Sequence, residues 1–261
     1  MRILLKEDVI NKVISKFPDK TIIYTGCHVK RISFDFCYND LIIFPSEISP
    51  LIFDEENKVI VYGLQNEKSL FKGDTMPLYD PYFKYNLAVN ENKSDLIKNI
   101  TENSLKESIK HLSEISFFGS ISFYASVARL IEPAVVLSGT SLSPSHIFSQ
   151  IKKENSEILK RIFEILQIDS NLGSILKQRA YVLASLMQKN NSSIFLKKID
   201  NLLANKKDVE ASVYFFHELS KLEGKKLQTL SKDFKFGQVD DRKKNETLDL
   251  IKILTQKLND L

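Results

Sequence analysis

At 261 residues, with 43% hydrophobic and 27% charged side chains, the chain is long enough to bury a sizeable core and too apolar to stay disordered. Eight glycines and seven prolines are too few for the many tight turns of a sandwich or propeller, and two cysteines exclude a disulfide framework. A net charge of +4 with a pI near 8.8 permits nucleic acid as a partner without requiring it.

The charge is uneven. From Phe148 onward there are 21 cations against 15 anions, and before it 16 against 18, so the basic excess lies in the C-terminal part. The start, "MRILLKEDVI", lacks the unbroken apolar run and small-residue cleavage site of a secretion signal, which leads us to expect a reducing cytosol.

In chain order, Val9, Ile10, Val13, Ile14 and Phe17 form a helical stripe that Pro18 ends. "TIIYTG" (21–26) reads as a strand. "RISFDFCY" alternates Ile32, Phe34, Phe36 and Tyr38 with polar positions, the pattern of a half-buried strand. "DLIIF" and "KVIVYGL" are two more, the second coming after the acidic turn "DEEN". Residues 20–64 are therefore expected to form an antiparallel meander, because the connections look too short for parallel crossovers. "PLYDPYFKY" (77–85) has two prolines and four aromatics and reads as a loop or an edge strand.

A helical pattern starts near Ser94, with Ser104 and Glu107 at capping-box spacing. The apolar run Ile115 to Ala128 is shorter than the roughly 20 residues of a membrane span, and Arg129 and Glu132 break the apolar character beyond it. A buried helix closed by an Arg–Glu pair is the expectation. Beyond Pro144 no proline occurs, and helices are expected over 146–167, 170–188, 193–204, 208–222 and 245–261. Asp169, Ser192 and Asp208 stand where N-caps belong, and Gly224 where a C-cap belongs.

The expected fold is α+β: a helix with a small antiparallel sheet in 1–92, a helical connector with a buried apolar helix in 93–144, and a bundle of five to six helices in 145–261.

Most catalytic signatures are missing. "SGTSLSP" (138–144) lacks the second glycine of a hydrolase elbow, and Ser143 or Ser145 ahead of the next helix reads as a cap beside Pro144. No Gly-Lys-Ser/Thr occurs, and the four histidines form no zinc-binding pair. Cys27, His28 and Cys37 offer two sulfurs and an imidazole but lack the fourth ligand of structural zinc, so no metal site is expected.

One constellation could do chemistry. Asp40, Glu56 and Lys58 are ordered like the carboxylates and lysine of a Mg²⁺-dependent nuclease, although "DEENK" between two apolar runs also reads as a hairpin turn. Magnesium enters only with that reading; otherwise no cofactor is expected.

The tract 225–244 contains Lys225, Lys226, Lys232, Lys235, Arg242, Lys243 and Lys244 with Phe234 and Phe236, a mixture suited to phosphate backbone and base stacking. Its alternative is a solvated linker before the last helix. Tyr214 and Phe215, and Leu250, Leu254 and Leu258 of that last helix, are candidate faces for a protein partner or a second copy.

Together these features read as a non-catalytic cytosolic subunit or adaptor that binds a protein partner, and nucleic acid through its basic C-terminal part. The alternatives are the nuclease and a membrane-active protein releasing residues 115–139 from its core; a membrane partner is not expected.

Overall fold

The structure, a computed structural model, describes residues 5–168, 173–234 and 236–261. The fold is α+β, and the chain divides into two compact units. The first comprises Met1–Leu96 and Lys189–Ile194, the second Ile97–Gln188 and Phe195–Leu261. Of the expected connector 93–144, residues 97–144 therefore group with most of the later helices.

The first unit opens with α1 (Glu7–Lys16), whose acidic Glu7 and Asp8 sit in the first turn and Lys16 in the last, where each suits the helix dipole. Five strands then share one sheet: β1 (Thr21–Thr25), β2 (Asn39–Phe44), β3 (Leu51–Asp54), β4 (Val59–Gly63) and β6 (Thr75–Tyr79). Two further short strands, β5 (Leu70–Phe71) and β7 (Val89–Asn90), pair with each other in parallel. A one-turn helix, α2 (Tyr85–Ala88), precedes β7.

The sheet order is β3-β4-β2-β1-β6. Pairing is antiparallel for β1–β2, β1–β6 and β3–β4, but β2 and β4 run parallel, with Asp40 opposite Ile60. The expected antiparallel meander is corrected on this point. Residues 45–58 give β4 the room to return beside β2, and they include β3, which runs the other way along its outer side. "RISFDFCY" is also corrected: residues 31–38 form turns and irregular chain rather than a strand.

Alternation along each strand builds two faces. Ile22, Tyr24, Leu41, Ile43, Val59 and Val61 pack under Val9 and Val13 of α1. The opposite face carries Ile23, Ile42 and Phe44 in one cluster, and Ile60 with Tyr38 and Ile194 in another. β6 is an edge strand and contains Pro77, so the edge-strand reading of that region holds.

The remaining helices are α3 (Lys93–Ser113), α4 (Ile115–Phe118), α5 (Ser120–Arg129), α6 (Ile131–Val136), α7 (Lys153–Leu166), α8 (Gly173–Ser185), α9 (Lys189–Ala204), α10 (Asp208–Leu219), α11 (Lys225–Asp233) and α12 (Asp241–Asn259). The apolar stretch near 115–136 is three helices rather than one. Gly119, at φ +69°, separates α4 from α5, and α5 is buried from Ile121 to Ala128.

Caps differ from expectation. Ser104 lies inside α3, where its hydroxyl donates to Glu132 at 2.7 Å instead of capping a helix. Ser192 lies inside α9, and Gly224 precedes α11 as its N-cap. Asp208 is the first residue of α10, and Asp169 falls outside the described residues. Asp240 caps α12 by accepting from the Lys243 amide at 2.8 Å. Pro144 opens a 3₁₀ segment, Pro144–Gln150, with Ser143 at its N-cap position.

Candidate functional site

In the first unit a cavity of about 280 Å³ is lined by the irregular loop before β2 (His28, Ser33, Phe34, Asp35, Cys37), by Asn39, and by Glu56, Asn57 and Lys58 of the β3–β4 turn. The turn folds locally because Asp54 accepts from the backbone and side-chain amides of Asn57 at 2.9 and 3.0 Å. These bonds hold the Asp54 carboxyl below its ordinary pKa. Lys58 adopts φ +51° and passes its ammonium to the Asp35 carbonyl at 3.0 Å. The loop side is tied by the His28 ring, whose Nε2 lies 3.5 Å from the Cys37 carbonyl, and by the Phe34 amide, which donates to Cys37 Sγ at 3.3 Å.

Of the three residues that a nuclease would need, Glu56 and Lys58 line this cavity and Asp40 does not. Asp40 instead accepts from the Tyr62 hydroxyl at 3.1 Å and stands against the backbone of Gly26. A Cβ at Gly26, whose φ is +82°, would meet Asp40 Oδ2 at 2.5 Å. Two physical reasons for glycine thus coincide at this position.

Sequence reasoning missed a second group at the same strand ends. Lys30 and Asp74 form an ion pair at 3.6 Å, with side chains only 7% and 15% exposed. Burial lowers the Lys30 pKa, while Asp74, and then Cys27 and Asp40, oppose that shift. Nearby, the buried Tyr24 hydroxyl donates to Asn39 at 2.6 Å, and burial, with Cys27 and Asp40 adding to it, pushes the phenol above its ordinary range. No spacing motif announces this group, because Lys30, Asp40 and Asp74 meet only once β1, β2 and β6 are side by side.

The basic tract lies in the second unit, and its two ends are helical, with irregular chain at Phe234 and over 236–240. Lys225–Asp233 is helix α11, which buries Leu227 and Leu230 and leads into the buried Phe234. Lys225, Lys226 and Lys232 are exposed on its other side, and among the described residues none of the three is in an ion pair. Arg242 is exposed at the start of α12. Lys243 donates to the Gln238 carbonyl at 3.3 Å, and Lys244 pairs with Asp241 at 3.4 Å. Lys235 lies outside the described residues.

The aromatics of the tract are occupied. The Phe236 ring stacks on Tyr124 at 4.7 Å between centroids, with the Arg179 guanidinium 4.9 Å from it, and Phe234 packs against Phe215 at 6.1 Å. Phe234 is 5% exposed and Phe236 is half-buried, so both rings already spend a face on neighbours within the chain.

Most of the expected partner face is buried within the chain itself. Tyr214 and Phe215 are 9% and 0% exposed, and Leu250 and Leu254 are both fully buried. The helix α10 buries Glu210 to Phe216 and Leu219 and packs against the 3₁₀ segment Pro144–Gln150 and against α5 and α8 of the same unit. Leu258 is half-buried, and the outward apolar positions of the last helix and its end are Leu248 and Leu261.

A larger open groove of about 730 Å³, lined by Phe148, Ile151, Phe163 and Ile168 with Lys160 and Glu164, contains none of the residues singled out from the sequence. No helix among the described residues is long and apolar enough to cross a membrane. Comparison with known proteins finds no matching family model, no matching curated protein and no matching solved structure.

Proposed function

We propose that the chain is a non-catalytic binding subunit that holds nucleic acid by its phosphate backbone through the outer face of α11 and the start of α12. The observation that carries this reading is the division of α11: Leu227 and Leu230 point inward, while Lys225, Lys226 and Lys232 face water outside any ion pair among the described residues. Arg242 extends the same basic stretch along the sequence. Lysine reads bases poorly beside arginine, Phe234 is buried and the half-buried Phe236 stacks on Tyr124, so the contact is electrostatic and independent of sequence.

The test is binding of a labelled duplex by fluorescence anisotropy across a salt series. Each phosphate contact contributes about 0.9 to the slope of log affinity against log salt. The triple variant Lys225→Glu, Lys226→Glu, Lys232→Glu should lower that slope by about 3 on this basis. Its circular dichroism should match the parent, because exposed substitutions of this kind change stability by roughly 0.5 kcal/mol or less. Absence of binding by the parent at low salt, or a slope unchanged in the variant, would remove the reading.

The Mg²⁺-dependent nuclease stands second. It is supported by Glu56 and Lys58 lining one cavity, and it requires Asp40, which sits outside that cavity, to join them.

A further inference from the structure

The loop between β1 and β2 holds both cysteines of the chain, and the fold brings their sulfurs within 4.8 Å of each other. A disulfide bond is about 2.05 Å long, so the sulfurs need to close by less than about 2.8 Å, a distance that side-chain rotation and a shift of loop backbone can supply. The loop permits such a shift. Residues 26–38 make no strand ladder: the Lys30–Asp74 pair anchors the loop near Cys27, and the stretch around Cys37 is held by turn hydrogen bonds such as Cys37 amide to Phe34 carbonyl at 3.0 Å and by the Lys58 ammonium on the Asp35 carbonyl.

The two sulfurs differ in access. Cys37 is half-buried and lines the cavity of about 280 Å³, several times the roughly 30 Å³ share of one water molecule, so a small oxidant can reach it. The Phe34 amide donates to its sulfur at 3.3 Å, a contact that stabilises negative charge there. Cys27 is 7% exposed and within electrostatic reach of the Lys30 ammonium. One thiol is placed to meet an oxidant from outside, and the other to attack it from within.

We propose that Cys27 and Cys37 are a reversible redox pair that consumes a hydroperoxide. The Cys37 thiolate attacks the peroxide, the O–O bond breaks, and one oxygen stays on sulfur as a sulfenic acid while the other leaves as water or alcohol. The Cys27 thiolate then attacks the Cys37 sulfur, the S–O bond breaks, and a second water leaves as the S–S bond forms. Two thiols lose two electrons and two protons, and the peroxide gains both. A dithiol reductant then returns the disulfide to two thiols by exchange and is itself oxidised to a disulfide.

The experiment treats the reduced protein with graded hydrogen peroxide, quenches with catalase, labels with a maleimide, and reads the intact mass and the peptide map. The expected result is a mass lower by two hydrogens, loss of both labelling sites together, a Cys27–Cys37 cross-linked peptide within one chain, and full recovery with dithiothreitol. In Cys27→Ser or Cys27→Ala, Cys37 should accumulate as a sulfenic acid that dimedone traps. In Cys37→Ser, Cys27 should keep its maleimide label at the same peroxide dose. The wild-type measurement decides the matter even if a variant misfolds. Both thiols still labelled at peroxide doses that oxidise ordinary exposed thiols would overturn the proposal, and so would a disulfide that joins two chains.

Discussion

Replacing Asp74 by Asn tests whether the Lys30–Asp74 pair holds the strand ends together. The ions are 3.6 Å apart, and at an effective dielectric near 20 their attraction is about 4–5 kcal/mol, most of which offsets the removal of two charges from water. Asp74→Asn keeps the shape and leaves an ammonium that is 7% exposed without its main counter-ion. Breaking a buried pair from one side costs about 3–5 kcal/mol. Asp40 also acts on Lys30, so the lower end, near 3 kcal/mol, is expected.

Lys30→Met combined with Asp74→Asn removes both charges, and the double variant should return to within about 1–2 kcal/mol of the parent. The assay is urea unfolding monitored by circular dichroism, with the four members of the cycle compared at one pH. The sign of the pH effect gives a second readout. Burial lowers the Lys30 pKa from 10.5 and Asp74 opposes that shift, so Asp74→Asn lowers the folded value further, and the deficit of the variant should shrink as the pH rises from the variant's folded value to the parent's. A single-variant loss below about 1 kcal/mol, or a double variant whose loss equals the sum of the singles, would refute the account.

The geometry gives two further expected outcomes. Gly26→Ala places a Cβ 2.5 Å from Asp40 Oδ2 at φ +82°, so it should lose about 1–3 kcal/mol in the same unfolding assay; a loss under about 0.5 kcal/mol would contradict the close approach. His111 is fully buried with Nε2 3.1 Å from the Ser220 carbonyl, and its pKa is lowered chiefly by burial, with Arg129 adding and Glu114 and Glu107 opposing. The unfolded chain therefore binds the extra proton below about pH 6.5, and His111 should remove up to about 1.4 kcal/mol of stability per pH unit on acidification. In His111→Gln that increment should vanish, and equal slopes in the two proteins would show that His111 is not its source.

How much of the fold was legible in the sequence depended on the range of the deciding interaction. Most helices after Pro144 were legible, because their 3.6-residue stripes are local, but α7 begins at Lys153 rather than 146, after a 3₁₀ segment, and α12 begins at Asp241 rather than 245. α11 was not, since Leu227, Leu230 and Phe234 are few among the lysines, and a stripe that narrow is hard to tell from a linker.

"RISFDFCY" failed for the opposite reason. Its alternation is clear, but a strand also needs a neighbour to bond, and here Phe34 and Phe36 stack on each other at 5.1 Å between centroids instead. The parallel β2–β4 pairing could not be read, because nothing local marks Leu51–Asp54 as a strand that lets β4 return alongside β2. For the candidate site, Glu56 and Lys58 were legible as neighbours in one turn. The Lys30–Asp74 pair was not, since its partners lie far apart in sequence and meet through β1 and β6.

The two border strands of the five-stranded sheet have a consequence for self-association. β6 contains Pro77, which has no amide hydrogen, and its register with β1 shifts between Ile22 and Ile23. β3 is four residues long, and its own register shifts between Ile52 and Asp54. Short, irregular or proline-bearing borders are poor templates for another extended chain. At high concentration this sheet should therefore not seed fibrils by growing sideways, and a companion protein would have to grip the molecule by some means other than adding a strand to it.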